Sequence, residues 1–173
     1  MDVLQNTLIF LFSFMFLSAG MSKLRHQAYS QHALEAYQLA PKFLTGFLNR
    51  SLASTELLLV PALILPLSQS MAVYVAALLL LVYALAMAIN LLRGRKRLDC
   101  GCNGPDSKQS ISWWMVLRNL FMAMVLLMLP IQTELAPLNA YLLALLFSAA
   151  LILIRQGAQL LYKNQQLMSR QGQ

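Results

Sequence analysis

The sequence predicts an all-α integral membrane protein, a bundle of about five transmembrane helices with an interfacial helical loop after the first span. Apolar residues make up 59% of the chain and charged residues only 11%, whereas about a quarter of the residues in a soluble domain are charged. The apolar residues also gather into segments of roughly 20, the length that crosses a bilayer core about 30 Å thick. The 13 Lys and Arg outnumber the 6 Asp and Glu. They lie between apolar segments, so membrane topology explains them better than nucleic-acid binding.

Five segments have the length and composition of spans. They are Leu4–Met21, Leu52–Leu67, Met71–Leu92, Ile111–Ile131 and Leu138–Ile154. The first reads as a retained anchor, because basic residues follow its apolar run and none precedes it. The second contains Pro61 and Pro66, which predicts a helix that is kinked or shielded by its neighbours.

The connections between the spans complete the predicted architecture. Between the first two spans, Arg25–Arg50 carries aromatic and leucine side chains at roughly helical spacing, which predicts a helix along the membrane interface, broken at Pro41. Residues 156–173 read as a short amphipathic cytoplasmic tail. We therefore divide the chain into a transmembrane helical domain, 1–155, and this tail.

Charge alternates between the connections and predicts the orientation. Lys and Arg follow the first, third and fifth spans, whereas the connections 68–70 and 132–137 contain none. Basic residues favour the cytoplasmic side. We therefore expect a multi-pass protein of the bacterial inner membrane, with the amino terminus outside and the cysteine loop and the carboxyl terminus on the cytoplasmic side.

Polar residues inside the predicted spans define a candidate supporting shell. Glu56 lies about five residues into the second segment and Arg118 about seven into the fourth, so both charges are about 8 to 10 Å deep. An ion pair between them is the economical arrangement. Asn119, Asn90 and Lys23 can join this cluster.

This shell has two interpretations. Its residues either fix helix register and orientation, or they line a polar pocket that tunes a thiolate or holds a quinone or substrate head group. No cofactor is certain from the sequence, and a quinone is the candidate.

Cys100 and Cys102 are the only two cysteines, and Gly101 separates them. A disulfide needs Cα atoms about 4.4 to 6.8 Å apart, which this spacing meets only with a tight bend that Gly101 permits. Gly104 belongs to the same turn-rich segment. Such a small ring restrains little of the unfolded chain, so a structural staple is disfavoured. We predict that the two thiols are catalytic and exchange with a thioredoxin-like partner.

Other functions use the same atoms. The two cysteines with His26 and His32 have the count of a zinc site, although their spacing suits a tetrahedral ion poorly. Thiolates with methionines can bind Cu(I), and the candidates are Met115, Met122, Met124 and Met128. A structural loop with inert cysteines, a transporter of a metal ion or small hydrophobic ligand, and an accessory subunit of a larger membrane complex are the remaining alternatives.

Several short motifs, in order, resemble one family. The chain is similar to the methylamine utilisation protein MauE family, within the broader DoxX-like group of membrane proteins. The matching features are Ser18-Ala19-Gly20, Lys23-Leu24, Tyr37 to Pro41, Glu56, Asn90 to Arg95, Cys100-Gly101-Cys102 with Gly104, and Arg118-Asn119. Family members usually have an aromatic residue where this chain has Asn103.

The resemblance implies a helical bundle that supplies or removes electrons for disulfide chemistry. It also implies a periplasmic thioredoxin-like partner and a role in maturing exported, disulfide-rich enzymes such as methylamine dehydrogenase. The charge pattern, however, places the cysteines inside while such clients are outside. The interpretation that we favour is that the cysteine loop dips between the helices, is reached from either face and passes reducing equivalents across the membrane; the other is that the topology departs from the charge rule.

Overall fold

In the computed structural model, the structure describes residues 2–95, 98–99, 110–130 and 137–171. These residues form six helices: α1 (Asp2–Arg25), α2 (Gln27–Tyr37), α3 (Lys42–Ile64), α4 (Pro66–Leu92), α5 (Trp113–Met128) and α6 (Leu138–Gln171). The predicted fold class, an all-α membrane protein, is confirmed. Cys100, Gly101, Cys102 and Gly104 lie outside the described residues.

Three of the described helices are long and apolar enough to cross a membrane: Val3–Arg25, Lys42–Ile64 and Pro66–Leu92. Trp113–Met128 and Asn139–Ile154 are shorter apolar helices. Large apolar side chains are exposed along the long helices, for example Leu58 at 70% and Leu85 at 62%. Exposed apolar surface on this scale is typical of helices that face lipid.

The chain divides into two compact units, one of residues 13–135 and one of residues 1–12 with 136–173. In the second of these, the rings of Phe10 and Tyr141 pack edge to face with centroids 6.4 Å apart. Its long helix α6 continues past Ile154, the end of the fifth predicted span, to Gln171. All residues of the site described below belong to the unit 13–135.

The predicted break at Pro41 is confirmed, but the second span begins earlier than predicted. α2 ends at Tyr37, Gln38 takes a left-handed conformation with φ of 52°, and Pro41 caps the amino end of α3. Residues 42–50, which we assigned to the interfacial loop, are therefore the first turns of α3. Nothing after Pro41 stops this helix until Leu65, which is extended because Pro66 follows and occupies the first turn of α4.

α3 packs closely on both preceding helices. A Cβ added to Gly20 of α1 would lie 2.9 Å from Leu57 Cγ and 3.2 Å from the Ala53 carbonyl oxygen. Only glycine therefore permits this approach of α1 to α3. On α2, hydrogen bonds from Gln31 and Thr45 hold the pKa of the Glu35 carboxyl below its usual value.

Candidate functional site

A buried ion pair joins three helices. Lys23 Nζ, near the end of α1, donates to both carboxylate oxygens of Glu56 on α3, at 2.6 and 2.7 Å. The Tyr83 hydroxyl on α4 donates to Glu56 Oε1 at 2.6 Å. Glu56 is 0% exposed and Lys23 is 6% exposed. Three hydrogen bonds thus compensate a carboxylate whose burial would otherwise be very costly.

Tyr83 also contacts the cation of this pair. Lys23 Nζ lies 5.3 Å from the centroid of the Tyr83 ring, within the distance at which the face of an aromatic ring attracts a cation. Lys23, Glu56 and Tyr83 therefore form one neutral unit. It fixes α1, α3 and α4 relative to one another.

The predicted ion pair between Glu56 and Arg118 is wrong, because Lys23 occupies that position. The Glu56 carboxylate is bonded to Lys23 and Tyr83, while Arg118 makes no ion pair with a described residue. The glycine contact of α1 brings the flexible Lys23 side chain to Glu56 instead.

Arg118 lines a cavity within residues 13–135, with a volume of about 110 Å³. Its wall includes polar groups from five helices, among them Lys23, Tyr83, Asn49 and Asn119. The rest of the wall is mainly apolar: Ala33, Leu34, Tyr37, Leu39, Leu52, Ala86, Met87 and Met115, with Ser30. The cavity therefore combines a ring of apolar contacts with a few polar groups, as small-molecule sites usually do.

Three polar groups of this wall are without partners among the residues that the structure describes. Asn49 is 3% exposed and Asn119 is 8% exposed, and neither amide has a hydrogen bond to another described residue. Arg118 is exposed and makes no ion pair with a described residue. Since buried polar groups are nearly always hydrogen-bonded, the two buried amides have capacity that the described residues leave unused.

Asn90 does not line this cavity. It lies on α4 seven residues after Tyr83, is 0% exposed, and donates from Nδ2 to the Ala86 carbonyl at 3.1 Å. Its Oδ1 has no partner within the described residues. Of the predicted shell, Lys23, Glu56, Arg118 and Asn119 thus meet around the pair and the cavity, while Asn90 lies two turns further along α4.

The two ends of the segment that carries the cysteines are joined. Asp99 and Ser110 form an antiparallel bridge, and the Ile111 amide donates to the Leu98 carbonyl at 2.8 Å. Asp99 and Ser110, the described residues on either side of 100–109, therefore lie side by side between the end of α4 and the start of α5. Leu98 packs against the apolar cluster that includes Tyr37, Met87 and Met115, and these three residues also line the cavity.

Residues in and just after α2 contact the residues that precede Cys100. The Tyr29 hydroxyl donates to the Asp99 carboxylate, and Arg95 Nη2 donates to Gln38 Oε1 at 2.6 Å. Contacts near both ends of α2 thus fix the residues immediately before Cys100.

Sequence reasoning missed Asn49 and Tyr83. Asn49 precedes Glu56 by seven residues, two helical turns, and lies on the buried face of α3 with Thr45, Ala53 and Leu59. This spacing was a usable signal, but only with α3 beginning at Lys42. Tyr83 had no such signal, because a single phenol in an apolar helix is ordinary.

These features define a class: an all-α membrane protein with a buried ion pair, a polar-edged cavity and a cysteine pair between two helices. The model of the family "Methylamine utilisation protein MauE" matches residues 1–132. The chain belongs to this family.

The relatives named methylamine utilization protein MauE include proteins from three genera. The protein of Paracoccus denitrificans is 38% identical over 85% of this chain and 81% of its own. The protein of Methylorubrum extorquens is 33% identical over 83% and 79%, and that of Methylophilus methylotrophus 32% identical over 83% and 78%. No solved structure matches the chain.

Proposed function

We propose that this protein is a membrane thiol-disulfide redox protein in which Cys100 and Cys102 exchange electrons with a thioredoxin-like partner. The names of its relatives associate the family with methylamine utilisation. The proposed role here is to support disulfide formation in an exported enzyme of that process. In each exchange, a thiolate of the reduced protein attacks the disulfide of the other protein, which forms a mixed disulfide and releases one thiol. The second thiol of the attacking protein then closes a disulfide with the first and displaces the other protein's remaining sulfur as a thiol, so that two electrons and two protons move between the proteins.

The observation that carries this proposal is the pairing of Asp99 with Ser110, the two residues that flank 100–109. Both cysteines lie between these residues in the sequence, and the chain has no others. Two cysteines separated by one residue suit exchange chemistry better than structural stapling. The Tyr29–Asp99 contact anchors the residue next to Cys100.

The proposed location is the bacterial inner membrane, with the cysteine segment and the carboxyl terminus on the cytoplasmic side. The basic residues that support this orientation include Arg93 and Arg95 before the cysteines. The partners are the surrounding lipid and a thioredoxin-like protein. Because the clients are exported, the segment must also serve the outer face, directly or through electrons passed across the membrane.

Trapping of a mixed disulfide tests this function. Variants Cys100→Ala and Cys102→Ala, each with one thiol left, are incubated in membranes with a thioredoxin whose resolving cysteine has been replaced and whose remaining cysteine is held as a mixed disulfide with nitrothiobenzoate, so that attack by the variant's thiolate forms the adduct and releases the nitrothiobenzoate thiolate. We expect at least one variant to form an adduct that dithiothreitol releases. The Cys100→Ala/Cys102→Ala double variant, inserted to the same level, is the control and forms none.

Two results would overturn the proposal. The first is an adduct that persists in the double variant or is missing from both single variants. The second is a stoichiometric content of copper or zinc in protein purified under reducing conditions, which would favour a metal-binding protein.

A further inference from the structure

We propose that the cavity between α1, α2, α3, α4 and α5 is a water-binding site, and that its water joins the buried Lys23–Glu56–Tyr83 unit to the surface of the bundle. Such a site goes beyond the redox function proposed above and needs neither thiol. Three features support it: the volume of the cavity, two buried amides in its wall and exposed residues at its edge.

The size of the cavity suits a small cluster of water molecules. Its volume is about 110 Å³. A water molecule takes up about 30 Å³ in the liquid, so the cavity has room for about three. An apolar cavity of about 150 Å³ admits benzene, and this cavity is smaller. Water therefore matches the space better than an aromatic ring does.

Two buried amides in the wall need partners that the described residues do not provide. Asn49 on α3 is 3% exposed and Asn119 on α5 is 8% exposed, and neither bonds to another described residue. Each amide has two N–H donors and a carbonyl oxygen with two lone pairs. Cavities that stay empty are apolar, whereas a buried water molecule binds about three polar groups that otherwise lack partners. The two amides therefore favour a filled cavity.

The buried ion pair adds polar contacts on the other side of the cavity. Lys23 Nζ has three N–H groups, and the Glu56 carboxylate uses at most two of them. Lys23 and Tyr83 line the cavity, whereas Glu56 does not. Water in the cavity therefore meets the carboxylate through the ammonium of Lys23 and the hydroxyl of Tyr83, and it lowers the desolvation cost of the pair.

The cavity opens where its wall is exposed. Leu39 is 44% exposed and Arg118 is also exposed, and both line the cavity. A long basic side chain in a membrane helix keeps its charged end hydrated, so Arg118 holds water at the opening. Through this opening the protons of the Lys23 ammonium and the Tyr83 hydroxyl exchange with bulk water.

Radiolytic labelling of the purified protein in detergent tests this site. Pulsed X-rays convert bound water into hydroxyl radicals, which oxidise the side chains beside it, and mass spectrometry locates the oxidised residues. Met87 and Met115 line the cavity and are 5% and 7% exposed. We expect both to be oxidised even when a scavenger removes the radicals of the bulk water. The scavenger should suppress labelling of the His32 side chain, which is 79% exposed.

Substitution of the amides provides the matched comparison. Asn49→Leu/Asn119→Leu removes the polar groups that hold the water, so oxidation of Met87 and Met115 should fall at least several-fold. Asn90→Leu replaces an asparagine of α4 that is equally buried but does not line the cavity. This control should leave the oxidation of both methionines unchanged.

Two results would overturn the water site. The first is an absence of label on Met87 and Met115 in the unsubstituted protein with the scavenger present. The second is equal labelling in Asn49→Leu/Asn119→Leu while Phe16, which is 1% exposed and outside the cavity, stays unlabelled. Label on Phe16 identifies an unfolded variant, and the unsubstituted protein then decides. Mixed-disulfide trapping is independent of these results, because the labelling uses no thioredoxin.

Discussion

At the scale of the residue, the Lys23–Glu56 pair shows how a membrane helix accommodates a charge. Glu56 would carry a large desolvation cost alone, and the structure offsets it with two bonds from Lys23 and one from Tyr83. The sequence was sufficient to predict that Glu56 is paired inside the bundle. It was not sufficient to predict the partner, because reach and helix contact decide between Lys23 and Arg118, and neither is visible in a linear pattern.

Removing one partner of this pair should destabilise the protein, whereas removing both should not. Glu56→Leu leaves a buried ammonium without its carboxylate, at a cost of about 3 to 5 kcal/mol. Lys23→Met/Glu56→Leu replaces the pair with apolar groups of similar volume and should recover most of that loss. The melting temperature of each variant in detergent is the measurement, and a double variant as unstable as Glu56→Leu would show that the pair has another role.

At the scale of the element, helix boundaries decided which predictions succeeded. The helical nature of α1, α4 and α6, and the break at Pro41, followed from apolar length and proline position. The start of α3 did not, because residues 42–50 contain Lys42, Asn49 and Arg50 and resemble an interfacial segment. Tertiary packing overrides that local polarity: Thr45 and Asn49 are buried on the face that α3 shares with its neighbours.

The approach of α1 to α3 gives a prediction for a single glycine. Gly20→Val would place side-chain atoms within van der Waals distance of Leu57 and the Ala53 carbonyl, which should cost about 1 to 3 kcal/mol of folding free energy. The matched control is Gly157→Val in α6, where nothing lies within 4 Å of an added Cβ. Denaturant unfolding in mild detergent measures both, and equal effects would contradict the close contact at Gly20.

At the scale of the whole molecule, the proposed topology makes a prediction that labelling can test. The α3–α4 connection and the end of α4 should lie on opposite sides of the membrane. In the double Cys→Ala variant, Leu67→Cys should react with an impermeant maleimide added to spheroplasts, and Arg93→Cys should react only after lysis. The reverse pattern would mean that the orientation inferred from the basic residues is wrong.

The part of the site that composition could not predict is the cavity itself. Arg118 and Asn119 were recognisable as polar residues in an apolar span, but only the packing of α2, α3, α4 and α5 shows that neither bonds to another described residue and that both line the cavity. The same packing brings Leu98 and Ile111, which flank the cysteine segment, to one cluster. Sequence spacing predicts the cysteine pair as reactive, whereas only the fold shows which residues hold Leu98 and Ile111 together.

The central claim is that Cys100 and Cys102 form a reversible disulfide, and a redox titration of the purified protein tests it most directly. The protein is equilibrated in dithiothreitol buffers of increasing potential, the free thiols are alkylated, and the intact mass is measured. The account predicts one two-electron transition from two alkylated thiols to none, and no intramolecular transition in Cys102→Ala. Two alkylated thiols at every potential, in correctly inserted protein, would contradict it.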